Sequence, residues 1–475
     1  MPVPDRMREI ESEIDAAIRD LPIWRASRPK LIESLVTLYR DAMELVFANF
    51  LHAKTFDLAE GYSTAFGLES RYRAGALWTF KWASEYCSAD GLYEPTVEEL
   101  VDVFQLGSTY ETFVDALKSA GRGDIAIAIT DQPRVIEFYE GGSLTGFDAQ
   151  IVEHQRLTTP TTWHTPLTDD GDCVTARWTA GDYRRVTRNL ASLAAGLENT
   201  IVVDATLLAA LGKPEVSIPQ PTVVWIDRPA IIPDCFVFDD LTLPETIDSK
   251  SKWKLVSLLD TPILQVGNRF CAVSSDLKAV SIIDDYMLRV AARIDPDTYA
   301  EAATLREERM ITICRPVLER HGWSVDQNVI YKNPKKEADI VATKGAETLI
   351  LQLKSTLRPE TPWEVYKRNQ GLVGGIEHTR ALLDRTNGSL GFVLTDGYRG
   401  DFRSWAVALA RQIPIATLDD IEIVSSDPAV AMSELQRRVG IPDRPCDQPA
   451  AIPDREADLM GWRLRFLDRP VPQAL

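Results

Sequence analysis

The chain reads as an α/β protein: a mainly helical N-terminal region, an α+β middle region, and a C-terminal α/β sandwich with a mixed sheet. Three observations predict this. Apolar residues recur at helical spacing over residues 4–57, Leu68–Cys87 and Thr96–Ser119. From Ile125 the period shortens to that of strands. Beyond residue 299 the pattern runs helix, hairpin, helix, strand, helix, strand, an order that layers helices on a mixed sheet. The resulting boundaries are 1–122, 123–298, 299–424 and a C-terminal irregular or helical tail, 425–475.

The first region contains two amphipathic helices within residues 4–57, then two more. Trp78, Phe80 and Trp82 sit at spacings that suit a packed core. In the second region the strand candidates are IAIAI from Ile125, VIEFY from Val135, VVWID from Val223 and CFVF from Cys235. Pro-rich patches near 158–166 and 214–233 read as connections. Ile263–Ser274 reads as a hairpin around Gly267-Asn268, and Leu277–Arg293 as a helix.

Tyr299–His321 reads as a helix with Met310, Cys314, Val317 and Leu318 on one stripe, stopped by Gly322. Trp323–Tyr331 follows as a strand. Thr361-Pro362-Trp363-Glu364 has the form of a capped helix start, with Thr at the N-cap, Pro at N1 and Glu at N3. That helix runs to about Asp384 with an interruption at Gly374-Gly375. Asn387-Gly388 turns the chain into the strand Leu390–Thr395, followed by a helix, Phe402–Gln412, and a short strand, Ile413–Thr417. After Asp427 the composition is rich in Pro, Asp and Arg, which predicts an irregular wrap with one helix at Ala429–Val439.

The most informative stretch is EADIVATKGAETLILQLKST, Glu337 to Thr356. Two strand-like runs, Ala338–Thr343 and Thr348–Lys354, flank Lys344-Gly345-Ala346-Glu347. Gly in the first central position suits a two-residue type II′ turn. Opposed residues then have numbers summing to 691, so Ile340 faces Leu351 and Asp339 faces Gln352. Strand alternation puts Ala338, Ile340, Ala342, Leu349, Leu351 and Leu353 on one apolar face. The other face carries Asp339, Val341, Thr343, Thr348, Ile350, Gln352 and Lys354. An ordinary half-exposed hairpin spreads its polar residues along the outer face. Here Asp339, Gln352 and Lys354 gather at the end away from the turn, a spacing at which two side-chain oxygens can share one Mg²⁺.

This arrangement resembles the PD-(D/E)XK nuclease superfamily, whose hairpin presents Asp and then (Asp/Glu)-x-Lys. The form Asp339…Gln352-Leu353-Lys354 is similar to the Mrr-type branch of these restriction-endonuclease-like proteins. Two departures stand out: Ala338 occupies the place of the proline, and Gln352 replaces an acid. The resemblance covers roughly residues 301–424. It implies a metal-dependent endonuclease, with DNA as the substrate and restriction or defence against foreign DNA as the setting. It further implies Mg²⁺ or Mn²⁺ held by Asp339, Gln352, the Leu353 carbonyl and Glu307. Glu307 continues the apolar stripe of the preceding helix by one turn, with Glu308 about 100° further round as the competitor. Lys354 orients or deprotonates the attacking water, or stabilises transition-state charge. Lys332, Lys335, Lys336, Arg358, Lys367 and Arg368 are the candidates for steering phosphates. A non-enzymatic module that keeps the fold to bind nucleic acid or a protein partner is the alternative reading, and a ribonuclease a third.

Composition narrows the remaining classes. No apolar run approaches the roughly 18 residues a membrane span needs. The start, MPVPDRMREIESEID, lacks a signal-peptide apolar segment. Six cysteines without a C-x-x-C pair point to reduced thiols and a cytoplasmic setting. His154, His164 and Cys173 are too loosely spaced for structural zinc, and Gly212-Lys213 lacks the rest of a P-loop. His378, on the helix after the hairpin, is within reach of the candidate site, but a helix-surface position is the expectation. The net charge of −18 is unfavourable for nucleic acid, but its distribution matters. Residues 301–424 hold 17 Lys/Arg and 17 Asp/Glu, leaving 52 − 17 = 35 basic against 70 − 17 = 53 acidic residues elsewhere. The expectation is selective, salt-sensitive engagement of nucleic acid by a neutral module, with the acidic remainder repelling bulk DNA. A homo-oligomer or a protein partner would be engaged through the N-terminal region.

Overall fold

Helix α1, Asp5–Arg19, buries Met7, Ile10, Ile14 and Ile18 at spacings of three and four, and a 3₁₀ turn at Pro22–Arg25 leads into α2, Arg28–Phe56. The computed structural model describes residues 5–56, 59–122, 125–139, 168–202, 209, 217–227, 236–243, 258–282, 284–331, 336–355, 362–386, 390–400, 402–440 and 455–467. Helices α3, Ala59–Tyr86, and α4, Val97–Arg122, complete the helical part, α3 starting nine residues before the expected Leu68. Trp78, Phe80 and Trp82 are core residues, and Tyr110 of α4 stands edge-on to Trp78 and Trp82 with ring centroids 4.6 and 5.3 Å away.

These helices share their core with a sheet assembled from the strands that directly follow them and from two near the C-terminal end of the chain. Strands β1, Ala126–Asp131, and β2, Arg134–Tyr139, form a hairpin. The tail, expected to be irregular apart from one helix, also carries a hairpin: β15, Arg455–Leu459, and β16, Trp462–Leu467. The sheet order is β1-β2-β16-β15, with β16 parallel to β2 and Phe138 stacked on Phe466 at 5.1 Å. The missed signal is a tight turn at Met460-Gly461, both with φ > 0, between short alternating runs.

The middle region contains β3, Cys173–Thr175, β4, Trp178–Thr179, α5, Ala180–Ala195, β5, Thr200–Val202, β6, Ser217–Pro219, and β7, Val223–Ile226. Thr179 and Asp182 form a reciprocal capping box at the start of α5. The CFVF segment is not a strand: Phe236–Asp240 forms a short helix, α6. Val237 and Leu241, one turn apart, are both buried, and a short apolar run cannot by itself distinguish the two states. Strands β8, Leu264–Val266, and β9, Arg269–Val273, form the expected hairpin around Gly267, and β9 also pairs with β7. The single helix expected over Leu277–Arg293 is two, α7, Ser274–Ile282, and α8, Asp284–Ile294. Val186, Leu190, Phe238, Met287 and Leu288 belong to the core of this region.

Helix α9, Pro296–Arg320, starts three residues before the expected Tyr299, capped by Asp295, which accepts the Thr298 amide. It belongs to two cores: Ala302 packs with the middle region, while Met310, Ile311, Cys314 and Leu318 pack on the C-terminal sheet. Arg309 adds ion pairs to Asp169 and Asp172, at 2.8 and 2.6 Å.

The C-terminal sheet has the order β10-β11-β12-β13-β14, formed by Ser324–Tyr331, Lys336–Lys344, Glu347–Lys354, Leu390–Thr395 and Ile415–Thr417. The first two pairings are antiparallel and the last two parallel, so the sheet is mixed. Helix α9 covers one face with α12, Ile421–Ser426, and α13, Pro428–Gly440; α10, Pro362–Thr386, and α11, Phe402–Arg411, cover the other. Helix α10 runs through Gly374-Gly375 without the expected interruption. No helix among the described residues is long and apolar enough to cross a membrane.

Candidate active site

The β11–β12 hairpin has the expected register, running from Lys344↔Glu347 to Ile340↔Leu351 around Gly345, whose φ of +61° supplies the left-handed turn position. The ladder then stops one pair short of Asp339↔Gln352. On the other side, Asn328 of β10 adopts φ +51° and the pairing passes from Gln327↔Ile340 to Val329↔Ala338, so Asp339 pairs with neither neighbour. Ala338, expected beside Ile340 and Ala342, packs instead with Val341, Ile350 and α10. The departure from the ladder at Asp339 breaks the simple alternation there.

Asp339 nonetheless reaches across the gap. Its Oδ2 accepts a hydrogen bond from Gln352 Nε2 at 2.5 Å and another from the Leu353 backbone N–H at 2.6 Å. The carboxylate thereby takes a donor that the interrupted ladder leaves without a carbonyl. With its N–H₂ group turned to Asp339, Gln352 leaves Oε1 buried with no partner. A buried acceptor left empty costs about 1–3 kcal/mol, and burial makes the cost hard to avoid at a side chain only 4 % exposed.

Lys354 ends β12, in parallel register with Thr395. A Cβ built on Gly375 would lie 3.5 Å from Lys354 Cγ, so the bare backbone of α10 bounds the lysine stem. Glu307 approaches from α9, its Oε1 accepting the Ser355 amide at 3.2 Å, whereas Glu308 is exposed. Burial pushes the Asp339 carboxyl up to about 6. The Leu353 amide and Lys354 oppose this rise, and the negative charges of Glu307 and Glu337 add to it.

Among the proposed phosphate-steering residues, Lys336 opens β11, and Lys367 and Arg368 lie in the first half of α10. Lys367 is exposed. Arg368 is half-buried near Tyr299: burial raises that hydroxyl's pKa, and Arg368 and Arg306 offset part of the rise. Lys332, Lys335 and Arg358 lie outside the described residues.

His378 is not the surface histidine expected. It is half-buried on α10, where burial first, then Lys336 and Lys354, lower its pKa, opposed by a hydrogen bond to the Glu337 backbone. Three polar groups near the sheet end had no signal in the motif: Arg306, Ser355 and Asp396. Asp396 directly follows the apolar strand β13 and Ser355 directly follows Lys354, positions at strand ends where side chains converge.

The donor set fits a hard divalent cation. Two carboxylates, Asp339 and Glu307, stand with an amide oxygen that has no other partner, and all are oxygen donors. Among the described residues no group of three or more His, Cys, Asp or Glu side chains forms a metal cluster. Such a set suits an ion that keeps several waters or borrows substrate oxygens, as Mg²⁺ does. Comparison with protein-family models, curated proteins and solved structures finds no match to the chain.

Proposed function

We propose that the chain is a divalent-metal-dependent nuclease of the PD-(D/E)XK type, in its Asp…Gln-x-Lys form, hydrolysing phosphodiester bonds of DNA. One observation carries the reading: Asp339 hydrogen-bonds Gln352 across the opened end of the hairpin, leaving a buried amide oxygen unpartnered next to a carboxylate. The mixed sheet with helices on both faces supports it, since that architecture matches the layering the resemblance implies.

Asp339, Gln352, Glu307 and the Leu353 carbonyl are the groups that would hold Mg²⁺ or Mn²⁺. When bound, the ion polarises the scissile phosphate and acidifies a water. The chain's own residues do the remainder. Asp339 is kept in place by the Leu353 amide, and its charge, costly in a half-buried setting, favours a cation beside it. Lys354 brings an ammonium to the same strand end, where it orients the attacking water or offsets charge on the transition state. Lys336, Lys367 and Arg368 supply positive charge for the nucleic-acid backbone, together with positions 332, 335 and 358. Defence against foreign DNA in the cytoplasm is the setting we favour, with the N-terminal and middle regions selecting the target or assembling the active form.

The test is cleavage of plasmid, linear and single-stranded DNA, and of RNA, by purified protein with Mg²⁺ or Mn²⁺. Cleavage of DNA that needs the ion and disappears in both Asp339→Ala and Lys354→Ala is the expected result; cleavage surviving both substitutions removes the mechanism. A second reading, a binding module without catalysis, is favoured by the neutral Gln352 and by the lack of a three-acid cluster among the described residues. Mn²⁺ calorimetry separates the two: ion binding lost in Asp339→Ala favours the enzyme, and nucleic-acid binding without ion binding favours the module.

A further inference from the structure

Building on the assignment of Asp339, Gln352 and Glu307 as metal-holding groups, we infer that Arg306, Asp396 and Ser355 are positioning residues. They set Glu307 against the end of β12 and, through Asp285, tie that placement to the middle region.

The geometry is a closed ring. Arg306 Nη2 lies 3.2 Å from Asp396 Oδ2, and the Ser355 hydroxyl donates to the same oxygen at 3.1 Å. The Ser355 backbone N–H donates to Glu307 Oε1 at 3.2 Å. Arg306 and Glu307 are consecutive in α9, so the ring closes through that helix and pins it to the ends of β12 and β13. Ser355 is the pivot: its hydroxyl faces the buried carboxylate of Asp396 and its amide faces the candidate ligand. A shift of Asp396 or Arg306 moves the amide that holds Glu307.

Arg306 carries a second link. The same Nη2 pairs with Asp285 Oδ1 of α8 at 3.0 Å. Helix α8 supplies Met287, Leu288, Val290 and Ala291 to the core of the middle region. A displacement of that core relative to the sheet therefore reaches Arg306 directly, one residue from Glu307.

A simple staple explains this arrangement poorly. Arg306 is 6 % exposed and Asp396 2 %, so both charges are withdrawn from water. One guanidinium nitrogen serves two carboxylates, while Nε and Nη1 are buried without a partner. Polar networks left partly satisfied are less stable than an apolar core of the same volume, and such departures concentrate at functional sites. The residue pattern favours placement of a group over stability.

The test uses full-length protein and Mn²⁺ alone as probe, with affinity from titration calorimetry and melting temperature recorded for each variant. Groups that orient metal ligands change metal affinity by about 10–100-fold when removed. Ser355→Ala, which leaves the Arg306 ion pairs intact, and Arg306→Lys, which keeps the charge but on a shorter stem draws the nitrogen back from between Asp396 and Asp285, are each expected to weaken Mn²⁺ binding by at least tenfold while the protein remains folded. Asp285→Asn, remote from the ion, is expected to weaken it several-fold. Folded variants that lower the melting temperature yet bind Mn²⁺ within twofold of the parent would overturn the inference and leave the site assignment standing. Failure of the parent protein to bind Mn²⁺, with Asp339→Ala indistinguishable from it, removes the site assignment and the inference together.

Discussion

Replacing Asp339 by Asn should stabilise the metal-free protein while removing its metal binding. The carboxyl is raised from 3.8 to about 6, chiefly by burial, and two units correspond to about 3 kcal/mol of preference for the neutral form. The sign follows from linkage. A carboxyl whose folded pKa exceeds its unfolded value contributes stability that is fully present below the unfolded pKa, near 3.8. That stability is lost as pH rises through about 6, where the folded carboxyl ionises. Asn carries no charge, and its amide oxygen can still accept from Gln352 Nε2 and the Leu353 amide. The variant therefore gains about half of the full amount at pH 5 and at most about 3 kcal/mol at pH 8. For a core of this size that corresponds to a rise of roughly 6–12 °C in the transition of the C-terminal sheet. Scanning calorimetry in chelator at the two pH values measures it, with Mn²⁺ titration alongside. A variant that melts below the parent at pH 8, or whose gain does not grow with pH, refutes the electrostatic account of Asp339.

Four further outcomes follow from the same physical picture. Glu307→Ala should weaken Mn²⁺ binding by about tenfold or more, whereas Glu308→Ala, on an exposed face, should leave it unchanged by calorimetry. Asp276→Ala should cost about 1–3 kcal/mol, read as a lower melting temperature, because it takes from the buried Arg73 guanidinium one of its two carboxylate partners, with Glu69 remaining, and leaves the buried Tyr39 hydroxyl without its acceptor. Phe466→Ala should cost about 3–5 kcal/mol by removing a fully packed ring from beside Phe138. Deleting residues 455–475 should in addition expose the edge of β2 and promote aggregation, measured by light scattering.

Much of the candidate site was legible because it is local. A two-residue turn with Gly at its first central position sets the register, and the register decides which side chains can meet across the hairpin. Asp339, Gln352 and Lys354 lie within sixteen residues of one another, so their approach needs only the strand period and one turn. The helices α1 to α4, α9, α10 and α11 were legible for the same reason, since a 3.6-residue period repeated over several turns is a strong local signal. Short elements were less so. CFVF carries too few residues to express a period, and its fate as a helix was decided by what packs around Val237 and Phe238.

Chain-local physics specified where an aspartate, a glutamine and a lysine would converge, and that the surrounding segment would layer helices on strands. The folded molecule alone decided the rest. Only there do β11 and β12 part at Asp339, leaving Gln352 Oε1 orphaned, and only there does β16 dock beside β2 from more than 300 residues away. The ring through Arg306, Asp396, Ser355 and Glu307 likewise joins one helix to two strand ends. Such features depend on desolvation and on contacts between distant segments, and those energies exist only once the cores have closed.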